Sequence, residues 1–251
     1  MKLLVVDIET TGFEVKDDAI VEIGIVLVDT KTKKTEIVFN EIIKHEGKFN
    51  LSKHENSWIF QNTTLKPEDV VRAKSLEFYR DKIQKLFDTY KMTAYNKAFD
   101  IKFLSGAGFK LNDVDCLMKS STKYSNYRFP NGRKKIPSVE EIYNQFFMNE
   151  NEVYIEKHRA GVDALDEARI LLHLVDLKSG TAKIENDKVI IFEKKNEEKP
   201  KGIGVNDVLK FGKYKGRIFS EVVTRDINYL KWCIENVPTF QLTPEAKKLL
   251  N

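Results

Sequence analysis

Four acidic residues stand directly against apolar segments of this sequence: Asp7, Glu9, Asp100 and Asp163. Asp7 and Glu9 follow the apolar run of residues 3–6 and lie two positions apart. In an extended chain such residues project from one face. Two like charges at the edge of a core are costly unless a proton or a cation neutralises them. The plain alternative is a strand that runs out into a solvated acidic turn at Gly12. Asp100 and Asp163 each open a helical pattern, where an acid also gains from the helix dipole. Convergent carboxylates without thiolates, in a chain with only 4 histidines, suit a hard, oxygen-seeking ion, Mg²⁺ or Mn²⁺. Several acids around one opening also suit two such ions about 3.5–4 Å apart, the arrangement used to hydrolyse phosphodiesters. His158 precedes Asp163 by five residues. Five residues turn about 140° around a helix, so the two cannot share a helical face. His158 is therefore placed in the loop before the helix, with Asp163 fixed on it. Alone, such a histidine is more often a surface or satisfied one.

The elements that must position these residues follow from the hydrophobic pattern. Residues 3–6, 19–28 and 35–43 read as three strands of a meander, with a polar turn at 31–34. Trp58, Ile59 and Phe60 form a short apolar anchor, and Leu65-Lys66-Pro67-Glu68-Asp69 resembles a helix start. Apolar residues at helical spacing predict a helix over 72–90. Residues 92–95 read as a short strand before Asn96-Lys97-Ala98-Phe99-Asp100, and a helix follows to Gly106 and Gly108. Residues 114–118 read as another strand. Ser138-Val139-Glu140-Glu141 fits a capping box opening a helix to Phe147. Ala164, Leu165, Ala168, Leu171, Leu172 and Val175 form the apolar stripe of a further helix. Residues 182–192 suggest a small hairpin around Asn186-Asp187, and 194–204 is a charged stretch suited to a linker.

With 251 residues the chain can bury one full core and a smaller one. No apolar run reaches the length of a membrane span, and the N-terminus lacks the basic flank and apolar core of a signal peptide. The 2 cysteines, Cys116 and Cys233, are far apart and indicate neither a disulfide framework nor a thiolate zinc site. The reading is a cytoplasmic protein with reduced thiols and no membrane contact. The net charge of +4 arises wholly from residues 179–251, with 14 Lys+Arg against 10 Asp+Glu, beside 28 against 28 in residues 1–178. A modestly basic tail on a neutral body points to a polyanion partner, though a solvated surface explains so small an imbalance almost as well.

Taken together the motifs are specific. Asp7-Ile8-Glu9-Thr10-Thr11-Gly12, Asn96-Lys97-Ala98-Phe99-Asp100 and His158-Arg159-Ala160-Gly161-Val162-Asp163-Ala164 resemble, in order, the three exonuclease motifs of the DnaQ-like, DEDDh 3′–5′ exonucleases. The resemblance covers about residues 1–178. It implies an α/β, ribonuclease H-like fold: a mixed sheet with three antiparallel strands first, flanked by helices. It implies that Asp7, Glu9 and Asp163 bind one Mg²⁺ or Mn²⁺ ion, and that Asp7 and Asp100 serve a second. His158 is then the general base for the attacking water, a role suited to the side chain that titrates nearest neutrality. Thr10, Thr11, Gly12 and Asn96 would line the terminal-nucleotide site, with Phe103 packed near it. One departure is visible: many relatives carry His before the Asn of the second motif, where this chain has Tyr95. The expected effect is on packing or substrate fit.

Two further segments point to nucleic acid. Residues 119–135 interleave Lys119, Lys123, Arg128, Arg133, Lys134 and Lys135 with Tyr124, Tyr127 and Phe129, cations for phosphates and rings for bases. Arg133, Lys134 and Lys135 are expected to hold the strand, although a solvated basic loop has the same composition. Phe211-Gly212-Lys213-Tyr214-Lys215-Gly216-Arg217 and a helix over 227–235 bearing Tyr229, Leu230, Trp232 and Cys233 are similar to the small module of exonuclease X-like enzymes. The organisation expected is an exonuclease domain at 1–178, a linker with a hairpin at 179–203, and a small α+β module at 204–251 that binds nucleic acid or a partner. The activity implied is release of nucleoside 5′-monophosphates from 3′ ends, single-stranded DNA favoured over RNA, in DNA repair or replication proofreading. The alternatives are an exoribonuclease trimming RNA 3′ ends and a non-catalytic subunit that holds 3′ ends for a polymerase or repair partner.

Overall fold

The computed structural model describes residues 1–149, 151–185, 188–191, 202–237 and 239–250. The chain forms two compact units, residues 1–192 and 193–251. In the first, β1 (Lys2–Thr10), β2 (Ile20–Asp29) and β3 (Lys34–Ile42) form the expected antiparallel meander, and β4 (Met92–Thr93) lies parallel to β1. The strand order is β3-β2-β1-β4, which makes β1 central. Three short helices, α1 (Leu51–His54), α2 (Trp58–Asn62) and α3 (Pro67–Arg72), precede α4 (Leu76–Thr89) and α5 (Lys97–Gly106). After them come α6 (Leu117–Thr122), α7 (Val139–Phe147) and α8 (Ala160–Ser179).

Strand alternation sorts the core into two layers. Leu4, Val6 and Ile8 of β1 pack with Leu76, Ile83 and Phe87 of α4 and Leu104 of α5. Leu3 and Val5 face the other way, against Ile142 of α7 and Ala164, Ala168 and Leu171 of α8. By the same alternation Asp7 and Glu9 continue the face that α8 covers. α8 can sit that close because β2 carries Gly24 opposite Asp7. A Cβ built on Gly24 would lie 2.1 Å from the Ala160 carbonyl oxygen, so only glycine admits the start of α8 there.

Several expectations are corrected by hydrogen bonding. The helix expected over 72–90 is broken at Ala73, which is extended, and α4 restarts where the Ser75 hydroxyl accepts the Phe78 N–H at 3.1 Å. Residues 114–118 do not form a strand. The isolated bridge to β4 falls just before them, Met92 to Asp113, and the Val114 N–H donates to the Met92 carbonyl; the N–H groups of Leu117 and Met118 then donate to the Ala94 and Tyr95 carbonyls and α6 begins. The capping box at Ser138 and Glu141 is formed in both directions. The hairpin expected within the linker, β5 (Ala182–Glu185) paired with β6 (Lys188–Ile191), lies beside α7 and α8 in the first unit. Its turn Asn186-Asp187 and the charged residues 192–201 lie outside the described residues.

The second unit has α9 (Phe219–Asn236) and α10 (Pro244–Lys248) around a core that includes Leu209, Phe219, Val222, Leu230, Cys233 and Phe240. Where an α+β module was expected, its described residues contain two isolated β-bridges and no longer strand. α9 kinks at Asp226 (φ −157°, ψ 70°), so its second half starts at residue 227 as anticipated. Leu230 and Cys233 are buried, but Trp232 faces solvent.

Candidate active site

The end of β1, the start of α5 and the start of α8 enclose a cavity of about 550 Å³ lined by Asp7, Glu9, Asp100, Glu156, His158 and Glu167, among others. One carboxylate oxygen from each of Asp7, Glu9 and Asp163 lies within 4.8 Å of the others. Asp7 and Glu9 are partly exposed and line the cavity, whereas Asp163 is 1% exposed and is not among its lining residues. The Asp163 carboxylate accepts the backbone N–H groups of Arg159 at 2.7 Å and Lys157 at 3.3 Å, which ties the His158 loop to α8. His158 is bent into the left-handed region at φ 51°, uncommon for a residue with a side chain. Its ring meets the Trp58 ring edge-on, with centroids 4.8 Å apart.

The loop is anchored a second time through Arg159. Its guanidinium forks onto Glu22 of β2, with Nη2 to Oε1 at 2.8 Å and Nε to Oε2 at 3.0 Å, and the Ala160 N–H donates to the same carboxylate at 3.1 Å. Glu22 is 2% exposed and is the register partner of Glu9, so this ion pair stands beside the cavity acids without belonging to them.

Burial and mutual repulsion dominate the electrostatics of the cavity acids. Burial, then Glu167, Glu9, Asp100 and Asp163, hold the Asp7 carboxyl far above the carboxylate range. Burial, then the neighbouring acids led by Asp163, push Glu9 up to about 9. Burial raises Asp100 to about 8 against the pull of its own N–H and that of Ile8. Burial raises Asp163 too, opposed by the N–H groups of Arg159 and Lys157. Among the described residues no lysine or arginine pairs with these four acids. An all-oxygen donor set with no ion-pair partner fits a hard divalent cation.

The residues expected to hold a terminal nucleotide are divided. Thr10, Thr11, Gly12 and Asn96 line the cavity. Both threonine hydroxyls also shape the turn: Thr10 donates to the Gly12 carbonyl at 2.6 Å, and Thr11 accepts the Ala19 N–H at 2.9 Å. Phe103 does not reach the cavity. It is 1% exposed in the core, one helical turn behind Phe99, which takes the wall position. Tyr95 lines the cavity and its hydroxyl points at the Pro137 and Ser138 carbonyls at 2.9 and 3.0 Å, bracing the start of α7. Arg133, Lys134 and Lys135 are not among the cavity walls. Lys135 pairs with Glu141 at 2.5 Å, Lys134 donates to the Lys123 carbonyl at 2.8 Å, and Arg133 is exposed.

The profile of the exonuclease (RNase T) family matches residues 4–171, the greater part of the chain. The chain belongs to the exonuclease family. The profile of the exodeoxyribonuclease X-like C-terminal domain matches residues 209–237. Comparison with curated protein sequences gave no match. Solved structures share the fold at low identity. The 3′-exonuclease solved in 3′-end-specific recognition of a histone mRNA stem-loop is 16% identical, covers 77% of this chain and is itself 91% covered, with a TM-score of 0.52. E. coli Exonuclease I with a dA16 oligonucleotide is 15% identical over 70% of this chain and 41% of its own, with a TM-score of 0.51. Cell-death related nuclease 4 is 16% identical over 70% and 64%, with a TM-score of 0.50. These likenesses place the chain in the ribonuclease H-like α/β class.

The exonuclease-family cavity holds residues that the sequence reading passed over. Glu167 is 3% exposed, lines the cavity and accepts the Tyr95 N–H at 3.0 Å. Burial, then Asp100 and other acids, hold its carboxyl well above the usual range. Glu156 also lines the cavity and is raised to about 7, by burial first and Asp163 next. The signal for Glu167 was present: it lies four residues after Asp163, hence on the same helical face. Trp58 was expected as part of an apolar anchor, but only Ile59 and Phe60 are buried and Trp58 stands exposed on the cavity wall, whereas Glu156 left no signal short of the fold.

Proposed function

We propose that the chain is a divalent-metal-dependent 3′–5′ exonuclease that hydrolyses phosphodiester bonds at DNA 3′ ends, prefers single strands and releases nucleoside 5′-monophosphates. The observation that carries this reading is the convergence of Asp7, Glu9 and Asp163 oxygens within 4.8 Å, on a cavity with His158 in its wall. Asp7, Glu9 and Asp163 would hold one Mg²⁺ or Mn²⁺ ion, and Asp7 with Asp100 a second. Bound there, the ions would supply Lewis-acid stabilisation of charge on the phosphate oxygens. His158 would take a proton from the attacking water at an imidazole nitrogen. Trp58, the Asp163 carboxylate and the Glu22–Arg159 pair would fix the loop on which that imidazole sits. Thr10, Thr11, Gly12, Asn96 and Phe99 would line the berth of the terminal nucleotide. A cavity of about 550 Å³ is within the range of small-ligand sites.

The exodeoxyribonuclease X-like match in the second unit favours DNA as substrate, and the reading places the enzyme in repair or in proofreading beside a polymerase. RNA is the alternative, because one structural neighbour recognises an RNA 3′ end and another holds a DNA oligonucleotide. The test is cleavage of matched 5′-labelled single-stranded DNA and RNA in Mg²⁺, Mn²⁺ or EDTA, beside Asp7→Ala. The expected result is a metal-dependent ladder shortening from the 3′ end, faster on DNA and absent in the variant. Faster RNA trimming would reassign the substrate. Binding without cleavage of either would instead support a subunit that only holds 3′ ends.

A further inference from the structure

The turn between Leu209 and Arg217 in the second unit is not used by the proposed chemistry. Its base is closed by the Leu209 N–H donating to the Arg217 carbonyl and the Gly216 N–H donating to the Leu209 carbonyl, both at 2.8 Å. Gly212 and Gly216 take φ of 76° and 87°, conformations that cost glycine nothing. The tip is pinned from α9: the Lys213 N–H donates to the Tyr229 hydroxyl at 3.0 Å. The Tyr214 hydroxyl donates to Asp226 at 2.9 Å, and Asp226 in turn accepts the Tyr229 N–H at 3.1 Å and so caps the second half of α9. Asp226 stands at the kink of α9.

This rigid turn carries Lys210, Lys213, Lys215 and Arg217, with no acid between residues 208 and 220. Lys213 is engaged, its Nζ 2.9 Å from Asp226. Lys210, Lys215 and Arg217 are exposed, and among the described residues they make no ion pair. Phe211 stands among them, 37% exposed, with its other edge against Phe240 at 5.8 Å between centroids. Unpaired cations interleaved with an open ring on a fixed scaffold match a polymer of phosphates and bases. An acidic peptide would use the charges alone.

We propose that this turn is a second nucleic-acid contact, in which Lys210, Lys215 and Arg217 grip backbone phosphates and Phe211 offers a face to a base. The proposal adds a site to the nuclease reading and does not rest on it, because binding is measured with cleavage switched off. The experiment compares the full chain with its Lys210→Gln/Lys215→Gln/Arg217→Gln variant, in EDTA. Anisotropy of labelled 30-nucleotide single-stranded DNA and RNA is read between 50 and 200 mM KCl. Three lost phosphate contacts should flatten the plot of log affinity against log salt by about 2 for either sugar. Over that salt range the parent should therefore lose about 20-fold more affinity than the variant. A Lys210→Arg/Lys215→Arg/Arg217→Lys variant should keep the parent slope. Circular dichroism and cleavage of a trinucleotide in Mg²⁺ control for the fold of both units. Equal slopes for parent and Gln variant would overturn the proposal, as would a fall in trinucleotide cleavage that accompanies the lost binding. If no substrate is cleaved at all, the slopes still decide it.

Discussion

Asp100→Asn measures how heavily the acid cluster weighs on the metal-free protein. Asp100 is 3% exposed, and burial moves its carboxyl from an ordinary 3.8 to about 8. A raised acid keeps its proton in the folded chain at a pH where the unfolded chain has released it. Stability is thus fully present below about pH 4 and is lost as pH rises towards 8. Each unit corresponds to about 1.4 kcal/mol, so the loss between pH 4 and pH 7 reaches about 4 kcal/mol. This is an upper bound, since Asp7, Glu9 and Glu167 share the repulsion and a proton on one relieves the others. Asparagine has nothing to ionise and can still accept the Ile8 N–H. Metal-free Asp100→Asn should therefore be about 2–4 kcal/mol more stable than the parent at pH 7.5, or about 5–10 °C in Tm for a domain of this size, and no more stable at pH 4. The assay is thermal unfolding in EDTA in a Trp232→Phe background, which leaves Trp58 as the single tryptophan and reports on the first unit. Mg²⁺ should then raise the parent Tm more than that of the variant. A variant no more stable than the parent at pH 7.5, or equally stabilised at both pH values, would refute the reasoning.

Glu22→Ala would strand Arg159 and the Ala160 N–H; with Arg159 32% exposed, the loss should be about 2–3 kcal/mol, just below the range for fully buried pairs, by urea denaturation. Arg159→Lys keeps the charge but not the fork, and kcat should fall about 10–100-fold with KM nearly unchanged, as expected when the base is misplaced rather than the substrate. Gly24→Ala puts a methyl 2.1 Å from the Ala160 carbonyl oxygen; it should destabilise by about 1–3 kcal/mol or more and reduce cleavage, read by the same denaturation and ladder assays. Arg133→Ala should lower the salt slope for single strands by about 0.7, whereas Lys135→Ala, which loses an ion pair with Glu141, should change stability by less than about 1 kcal/mol.

The central strand was legible because burial on both faces leaves a continuous apolar run, and because two acids at its end break the rule that made the run. The meander followed from pattern alone. Residues 114–118 misled for a physical reason: a short apolar run is compatible with strand or helix, and the choice fell to the carbonyls of Ala94 and Tyr95, which no local pattern announces. The break at residues 73–75 was overrun by helical periodicity on both sides, although Ser75 is a good cap. Phe99 and Phe103 share a helical face, and only the packed structure shows which end of that face opens onto the cavity. The basic loop shows the same limit, since sequence displays the charge of Lys135 but not the Glu141 that takes it up.

Glu167 is the most instructive omission. Its sequence neighbours Asp166 and Arg169 are also charged, yet position 167 falls between Ala164 and Ala168, inside the stripe that packs on the sheet. An acid there is as anomalous for a helix as Asp7 is for a strand, and the same reasoning applies to both: a buried carboxylate needs a partner. Glu167 has one N–H, from Tyr95, and otherwise faces other acids. The anomaly in the strand and the anomaly in the helix line one cavity. Periodicity finds such residues only when it is used to ask which side chains violate it.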